Sequence, residues 1–155
     1  MGKYQQILVA VDLSDDSFLV CQKAVEIAQQ SQSSIMLIHV LEMLYPIDGT
    51  YDPLFYPSFD LAVDDTEMLN MAQKKMDELI KSLSVPDGVA LNNQVISGTP
   101  KIEVIRIAEE KQVDLIVCGS HGRSGLELLL GSTANAILHH APCDVLAVQT
   151  RKTTE

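Results

Sequence analysis

Tryptophan is absent from this sequence, cysteine occurs three times, and lysine and arginine together number 11 against 21 aspartates and glutamates. Each shortage excludes something. Cys21, Cys118 and Cys143 are odd in number, widely separated and form no Cys-x-x-Cys pair, which argues against a disulfide frame or a cysteine metal cluster. They read instead as small, mostly buried hydrophobes. No apolar run approaches the ~18 residues of a membrane span. The run Ile7 to Val11 is too short for a signal-peptide core and no small-residue cleavage site follows it. Gln6 stands where a myristoylation signal expects serine or threonine. A cytoplasmic protein is therefore expected, with no membrane partner. The shortage of basic residues is also uneven. Between Lys23 and Lys74 there is neither lysine nor arginine, while Glu26, Glu42, Asp48, Asp52, Asp60, Asp64, Asp65 and Glu67 fall in that stretch. Nucleic acid is bound by basic patches that release counterions, so a chain of net charge −10 is not expected to bind it. The acidity suits solubility. Any phosphate held here must rely mainly on backbone amides and helix ends.

What is present points to a folded domain. An apolar content of 46% with 21% charged residues excludes a disordered chain, and 155 residues is the size of one ordinary domain. We read residues 1–150 as that domain and 151–155 as a polar tail. Continuous apolar runs of strand length occur at Ile7–Val11, Ile35–Val40, Leu115–Cys118 and Val145–Val148, with a more polar, edge-like segment at Ala90–Ser97. Helical spacing lies between them. Ser14 is a natural N-cap for a helix whose apolar positions are Phe18, Cys21, Val25 and Ala28. Leu69, Ala72, Met76, Leu79 and Leu83 mark a second helix. Thr99-Pro100 opens a third, carrying Ile102, Ile105 and Ala108, and Ser132–His140 forms a fourth that stops before Pro142.

Strict alternation of strand and helix predicts an α/β fold: an open five-stranded parallel sheet, doubly wound in the order 3-2-1-4-5, with helices on both faces. Ligands of such sheets bind outside the carboxyl ends of the strands, where the strand order reverses between strands 1 and 4. The segment from Glu42 to Phe59 departs from the regular scheme. It holds three of the six prolines, three of the four tyrosines and two of the three phenylalanines. It is either a satellite cluster packed over the sheet edge or a lid or partner surface.

The most informative stretch follows the fourth strand. Gly119, Gly122, Gly125 and Gly131 succeed Cys118, and Ser132 and Thr133 then begin a helix. Glycines let backbone N–H groups approach a ligand without a Cβ in the way, and helix N-termini attract anions. The serine and threonine hydroxyls add donors. The alternative is that the glycines only shape a connection and Ser132 only caps its helix. Asp12 follows strand 1 and faces Gly119 across the switch. It would repel phosphate, so ribose hydroxyls or a ring nitrogen suit it better. It can also serve the start of the first helix, together with Asp15 and Asp16.

These blocks carry a resemblance. Ile-Leu-Val-Ala-Val-Asp-Leu-Ser (7–14), Leu-Ile-His-Val (37–40), the Gly119–Thr133 stretch and Pro-Cys-Asp-Val-Leu-Ala-Val (142–148) resemble the bacterial universal stress protein family over nearly the whole chain. ATP-binding members of that family show Gly-x-x-Gly-(nine residues)-Gly-Ser/Thr. Gly119, Gly122 and Gly131-Ser132 match its fixed positions, with eight residues in the last interval. The resemblance implies ATP as cofactor, with Mg as its companion. Ala10, Val11 and Asp12 would line the adenosine end and the backbone at Val40 would read the adenine edge. Cys118 and Gly119 would pass beside the ribose, and Gly122, Gly131, Ser132 and Thr133 would hold phosphates. His121 and Arg123 would flank the loop, Arg123 screening the terminal phosphates. The last strand, Asp144 to Val148, is an apolar open edge without lysine or proline, so a homodimer joined through it is expected. The alternative is a monomer whose tail, Gln149 to Glu155, shields the edge. The resemblance points to the homodimer, and a further protein partner is not identified by the sequence.

Three functions follow for comparison. The first is an ATP-binding stress protein that holds the nucleotide with little or no turnover. The second is a nucleotide-free relative acting through protein contacts, where the shorter glycine spacing matters. The third is a slow ATPase. Against it stand the lack of a Walker-type lysine and of an evident acid/base pair. His121 invites a general-base role but has no visible partner. His39 reads as structural, and His139 and His140 suit the carboxyl end of their helix.

Overall fold

The computed structural model describes residues 4–42, 65–120 and 131–150. Along the chain these form β1 (Gln6–Ala10), α1 (Ser17–Ser31), β2 (Ser34–Leu41), α2 (Asp65–Ser82), β3 (Leu91–Ser97), α3 (Pro100–Glu110), β4 (Leu115–Gly119), α4 (Ser132–His140) and β5 (Asp144–Val148). All strands are parallel, in the order β3-β2-β1-β4-β5. This is the doubly wound sheet expected from the alternation. The segment Glu42 to Phe59, apart from Glu42 itself, lies outside the described residues, as does the tail 151–155.

The central strands are apolar on both sides because both sides are covered. On β1, Ile7 and Val9 point to one face and Leu8 to the other, all 1% exposed or less. The first face packs under α1 and α2 through Val20, Cys21, Ala24, Ala28 and Met76. The second packs under α3 and α4 through Val104, Ile107, Ala108, Ala134 and Ile137. Period-two alternation in the strands thus sorts the chain into two cores on either side of one sheet.

In α1 the expected Cys21, Val25 and Ala28 are buried, and in α3 Ala108 is, but in each helix the first residue of the expected stripe is exposed. In α1, Phe18 is 37% exposed while Ser17 and Val20 are buried. In α3, Ile102 is 58% exposed and Val104 takes the inward position. Nor is Ser14 the N-cap of α1. That position falls to Asp16, whose side chain makes no capping bond, while the Ser14 carbonyl accepts the Ser17 N–H at 3.0 Å. Asp12 organises this entry: its Oδ1 accepts the Ser14 N–H at 3.0 Å and the Ser17 hydroxyl at 3.2 Å.

At the opposite edge of the sheet one carboxylate locks the start of β1. Asp114 Oδ2 accepts the N–H groups of both Gln5 and Gln6 at 2.8 Å. Asp114→Ala leaves these two donors without their charged acceptor. We expect it to cost about 1–3 kcal/mol, read as a lower urea midpoint at unchanged slope. A midpoint equal to that of the parent protein would show that the clamp contributes nothing.

Candidate functional site

At the carboxyl edge of the sheet, β1 and β4 are neighbours whose continuations part. After β1 the chain enters α1 on one face. The chain after β4 leads to α4 on the other. Between them lies a cleft of about 450 Å³, inside the ~300–1,000 Å³ range of small-molecule sites.

Its floor is apolar. Ala10, Val11, Ile38, Val40, Val104 and Cys118 line it. The Cys118 thiol is pushed up to about 11 by burial and that of Cys21 to about 12. Neither is a thiolate near neutral pH, so Cys118 serves the floor as a hydrophobe rather than as a nucleophile. His39 is buried at 5% exposure and lies against the same space. Its Nδ1 is 2.8 Å from the Val11 carbonyl. A carbonyl only accepts, so Nδ1 carries the proton and the ring ties β2 to the end of β1.

The two walls differ in charge. On the β1 side stands Asp12, with Asp16 and Glu42 also lining the cleft. The residue after Asp12, Leu13, has a φ of 60°, a left-handed conformation that costs a non-glycine residue about 1–2 kcal/mol. The Asp12–Ser14 hydrogen bond spans it and holds the tight turn that carries the chain into α1. On the β4 side the wall is made by Gly119 and the start of α4. Gly131 is the N-cap of α4, no side chain caps that end, and its first turn contains no acidic residue. The amides of Ser132, Thr133 and Ala134 therefore present a positive helix end to the cleft, beside two hydroxyls. A backbone bond places this end against β4, the Gly131 N–H donating to the Ser120 carbonyl at 2.9 Å, and the Ser120 N–H in turn ties β5 to the same point by donating to the Val148 carbonyl at 2.9 Å.

The structure brings most of the anticipated residues to this one place. Ala10, Val11, Asp12 and Val40 line one side, and Cys118, Gly119, Gly131, Ser132 and Thr133 the other. His121, Gly122 and Arg123 lie outside the described residues. Sequence reasoning missed the contribution of the third helix, where Pro100 and Val104 reach the cleft, and it missed Ser17 and Thr150. Pro100 could have been found, since every helix that follows a parallel strand begins at the carboxyl edge. Thr150 carries no local signal. Only the parallel register of β4 and β5, pairing Gly119 with Val148, places the residues after β5 beside those after β4.

Among the described residues no group of three His, Cys, Asp or Glu side chains could hold a metal ion, and no helix is long and apolar enough to cross a membrane.

The comparisons with known proteins agree with this architecture. The family model of the universal stress protein family matches residues 3–149. Universal stress protein A homolog 1 of Coxiella burnetii is 38% identical over 149 residues, covering 94% of this chain and 96% of the relative. The solved universal stress protein UspA from Lactobacillus plantarum superposes with a TM-score of 0.70 at 27% identity, covering 96% of this chain and 99% of that one. A solved universal stress protein in complex with cAMP shares the fold at a TM-score of 0.58 and 22% identity, covering 96% and 98%. With the five-stranded order, the cleft at its switch and a match along nearly its whole length, the chain belongs to the universal stress protein family.

Proposed function

We propose that the cleft binds an adenine nucleotide, ATP first among them, and that the protein holds it as a ligand in a cytoplasmic stress response rather than turning it over. One observation carries this reading: the uncapped, carboxylate-free start of α4 faces Asp12 across an apolar floor. A ligand with a flat apolar body, hydroxyls near its middle and an anionic end matches that sequence of surfaces. The base would lie against Ala10, Val11 and Val40, with the Val40 backbone at its edge. The ribose hydroxyls would meet Asp12, and the phosphates would meet the amides and hydroxyls at Gly131, Ser132 and Thr133, joined by Gly119, Gly122 and Arg123 along the glycine stretch. The cAMP complex of a protein with the same fold supports an adenine nucleotide. Mg would neutralise phosphate charge, held by phosphate oxygens and water as is usual for this ion.

The binding-only reading rests on the groups in and around the cleft. No lysine follows the glycines in the Walker manner, the nearby thiol is neutral, and the His39 Nδ1–H is engaged by a carbonyl. Titration calorimetry with ATP should give a micromolar Kd, with phosphate release far below ~1 per second. Absence of binding at millimolar ATP overturns the first half of the reading, and turnover at an ordinary enzymatic rate overturns the second.

The working unit in this reading is a homodimer joined through β5. Four residues of this edge strand, Val145, Leu146, Ala147 and Val148, are each only half-buried in the single chain. The opposite edge, β3, exposes Asn92, Asn93 and Gln94, and Gln73 of α2 donates to the Asn93 side chain at 2.9 Å. Of the two edges, β5 is the apolar one, and neither lysine nor proline interrupts it.

A further inference from the structure

Thr150 is 5% exposed, lies two residues beyond the end of β5, and lines the cleft. Among the described residues no hydrogen bond is made by its hydroxyl. Yet among the described residues no fully buried polar side-chain atom lacks a partner. The hydroxyl therefore keeps contact with open space, and the space Thr150 borders is the cleft. A side chain enclosed this thoroughly, at the border of a ligand-sized cavity and with its one polar group not sealed from solvent, suits a donor or acceptor that a ligand supplies.

Its place in the sheet says which part of the ligand. Gly119 pairs with Val148, and the Ser120 N–H holds the Val148 carbonyl at 2.9 Å. The chain through Gln149 and Thr150 thus runs past the end of β4. The Gly131 N–H meets the Ser120 carbonyl at 2.9 Å at the same point, so the start of α4 is gathered there too. Asp12 follows β1 and Val40 lies in β2, on the other side of β4 in the strand order. We infer that the Thr150 hydroxyl is a phosphate-binding donor of the cleft, completing from the carboxyl-terminal strand the wall that α4 begins. The inference rests on the nucleotide reading above and adds to it a residue that the glycine motif does not contain. A hydroxyl can donate to a phosphate oxygen, and a hydrogen bond to a charged acceptor is among the stronger ones.

The test is a set of calorimetric titrations on the full chain with ATP and with adenosine. Thr150→Val keeps shape and burial but removes the donor, and Thr150→Ser keeps the donor. We expect Thr150→Val to weaken ATP binding about tenfold or more, with adenosine affinity within about twofold of the parent. Thr150→Ser should keep ATP within about threefold. The ligand-free melting temperature of Thr150→Val should be equal or higher, because the hydroxyl has no partner to lose. Unchanged ATP affinity in Thr150→Val overturns the inference, as does an equal loss in Thr150→Ser or an equal loss for adenosine. If the parent protein itself binds no ATP, the nucleotide reading fails and this inference falls with it, which is a different result from either of those.

Discussion

Thr133→Asp should lower ATP affinity by about a hundredfold or more while leaving the folded protein as stable as before, or slightly more so. The two effects have opposite signs because they involve different partners. Thr133 stands in the first turn of α4, where no acidic residue is present and no side chain caps the helix. A carboxylate there complements the helix dipole and stabilises α4 by about 0.3–1 kcal/mol. The same carboxylate projects into the cleft that Thr133 lines, where the phosphates are proposed to lie. Two like charges about 4 Å apart repel by ~4 kcal/mol at the effective dielectric of a protein surface, and 1.4 kcal/mol is a factor of ten in affinity. Thr133→Asn has similar bulk without the charge and should lose less than about tenfold. Calorimetry and thermal melting on the three proteins decide the matter. Equal ATP affinity in Thr133→Asp and the parent would remove α4 from the phosphate site. A large loss shared by Thr133→Asn would show that shape, not charge, is being read.

The second large effect concerns assembly. Val145→Pro should convert a dimer into a monomer of 17.0 kDa without unfolding the sheet. The reason is the direction of backbone groups along β5. The Val148 carbonyl faces β4, since it accepts the Ser120 N–H. In a strand, alternate residues turn their N–H and C=O to the same side, so Leu146 and Val148 serve β4 while Val145 and Ala147 face the open edge. Proline at 145 therefore removes a donor from the outer edge and leaves the inner ladder in place. Closing this edge against its own copy across a two-fold axis avoids an open fibre. Light scattering at micromolar concentration should give twice the chain mass for the parent protein and the chain mass for Val145→Pro. A parent protein that scatters as a monomer refutes the β5 dimer, and a variant that stays dimeric moves the joint elsewhere.

The parts of this molecule that the sequence disclosed are those where one physical demand dominates. Ile7, Leu8 and Val9 must all be apolar because helices cover both faces of β1, and a short continuous apolar run admits few other readings. The glycine stretch between Cys118 and Ser132 pointed to the cleft for a similar reason. Where two demands competed, the spacing misled. α3 carries Ile102, Val104, Ile105, Ile107 and Ala108, enough for two overlapping apolar stripes, and the contact with the sheet selects the one through Val104 and Ile107. In α1 the large Phe18 suggested an inward position. The inward place belongs to Ser17, a small polar residue whose hydroxyl is drawn to Asp12. His39 looked structural, and it does brace the Val11 carbonyl, yet it also borders the cleft. Thr150 was invisible, because its position depends on which strand lies beside which, not on its neighbours in the chain.

The hydrogen bond between Gly131 and Ser120 has a consequence for how the family motif can vary in length. It joins the residues that flank 121–130, Ser120 and Gly131, at 2.9 Å, so the end of β4 and the start of α4 hold each other directly. The closure entropy of a flexible segment between joined ends grows with the logarithm of its length. Going from ten residues to eleven changes it by roughly 0.1 kcal/mol on that scaling. The interval of eight residues before Gly131, where ATP-binding relatives have nine, therefore weighs almost nothing against the stability of the fold. Insertions and deletions in this interval become nearly neutral steps, open to selection on what the segment touches rather than on whether the domain survives them.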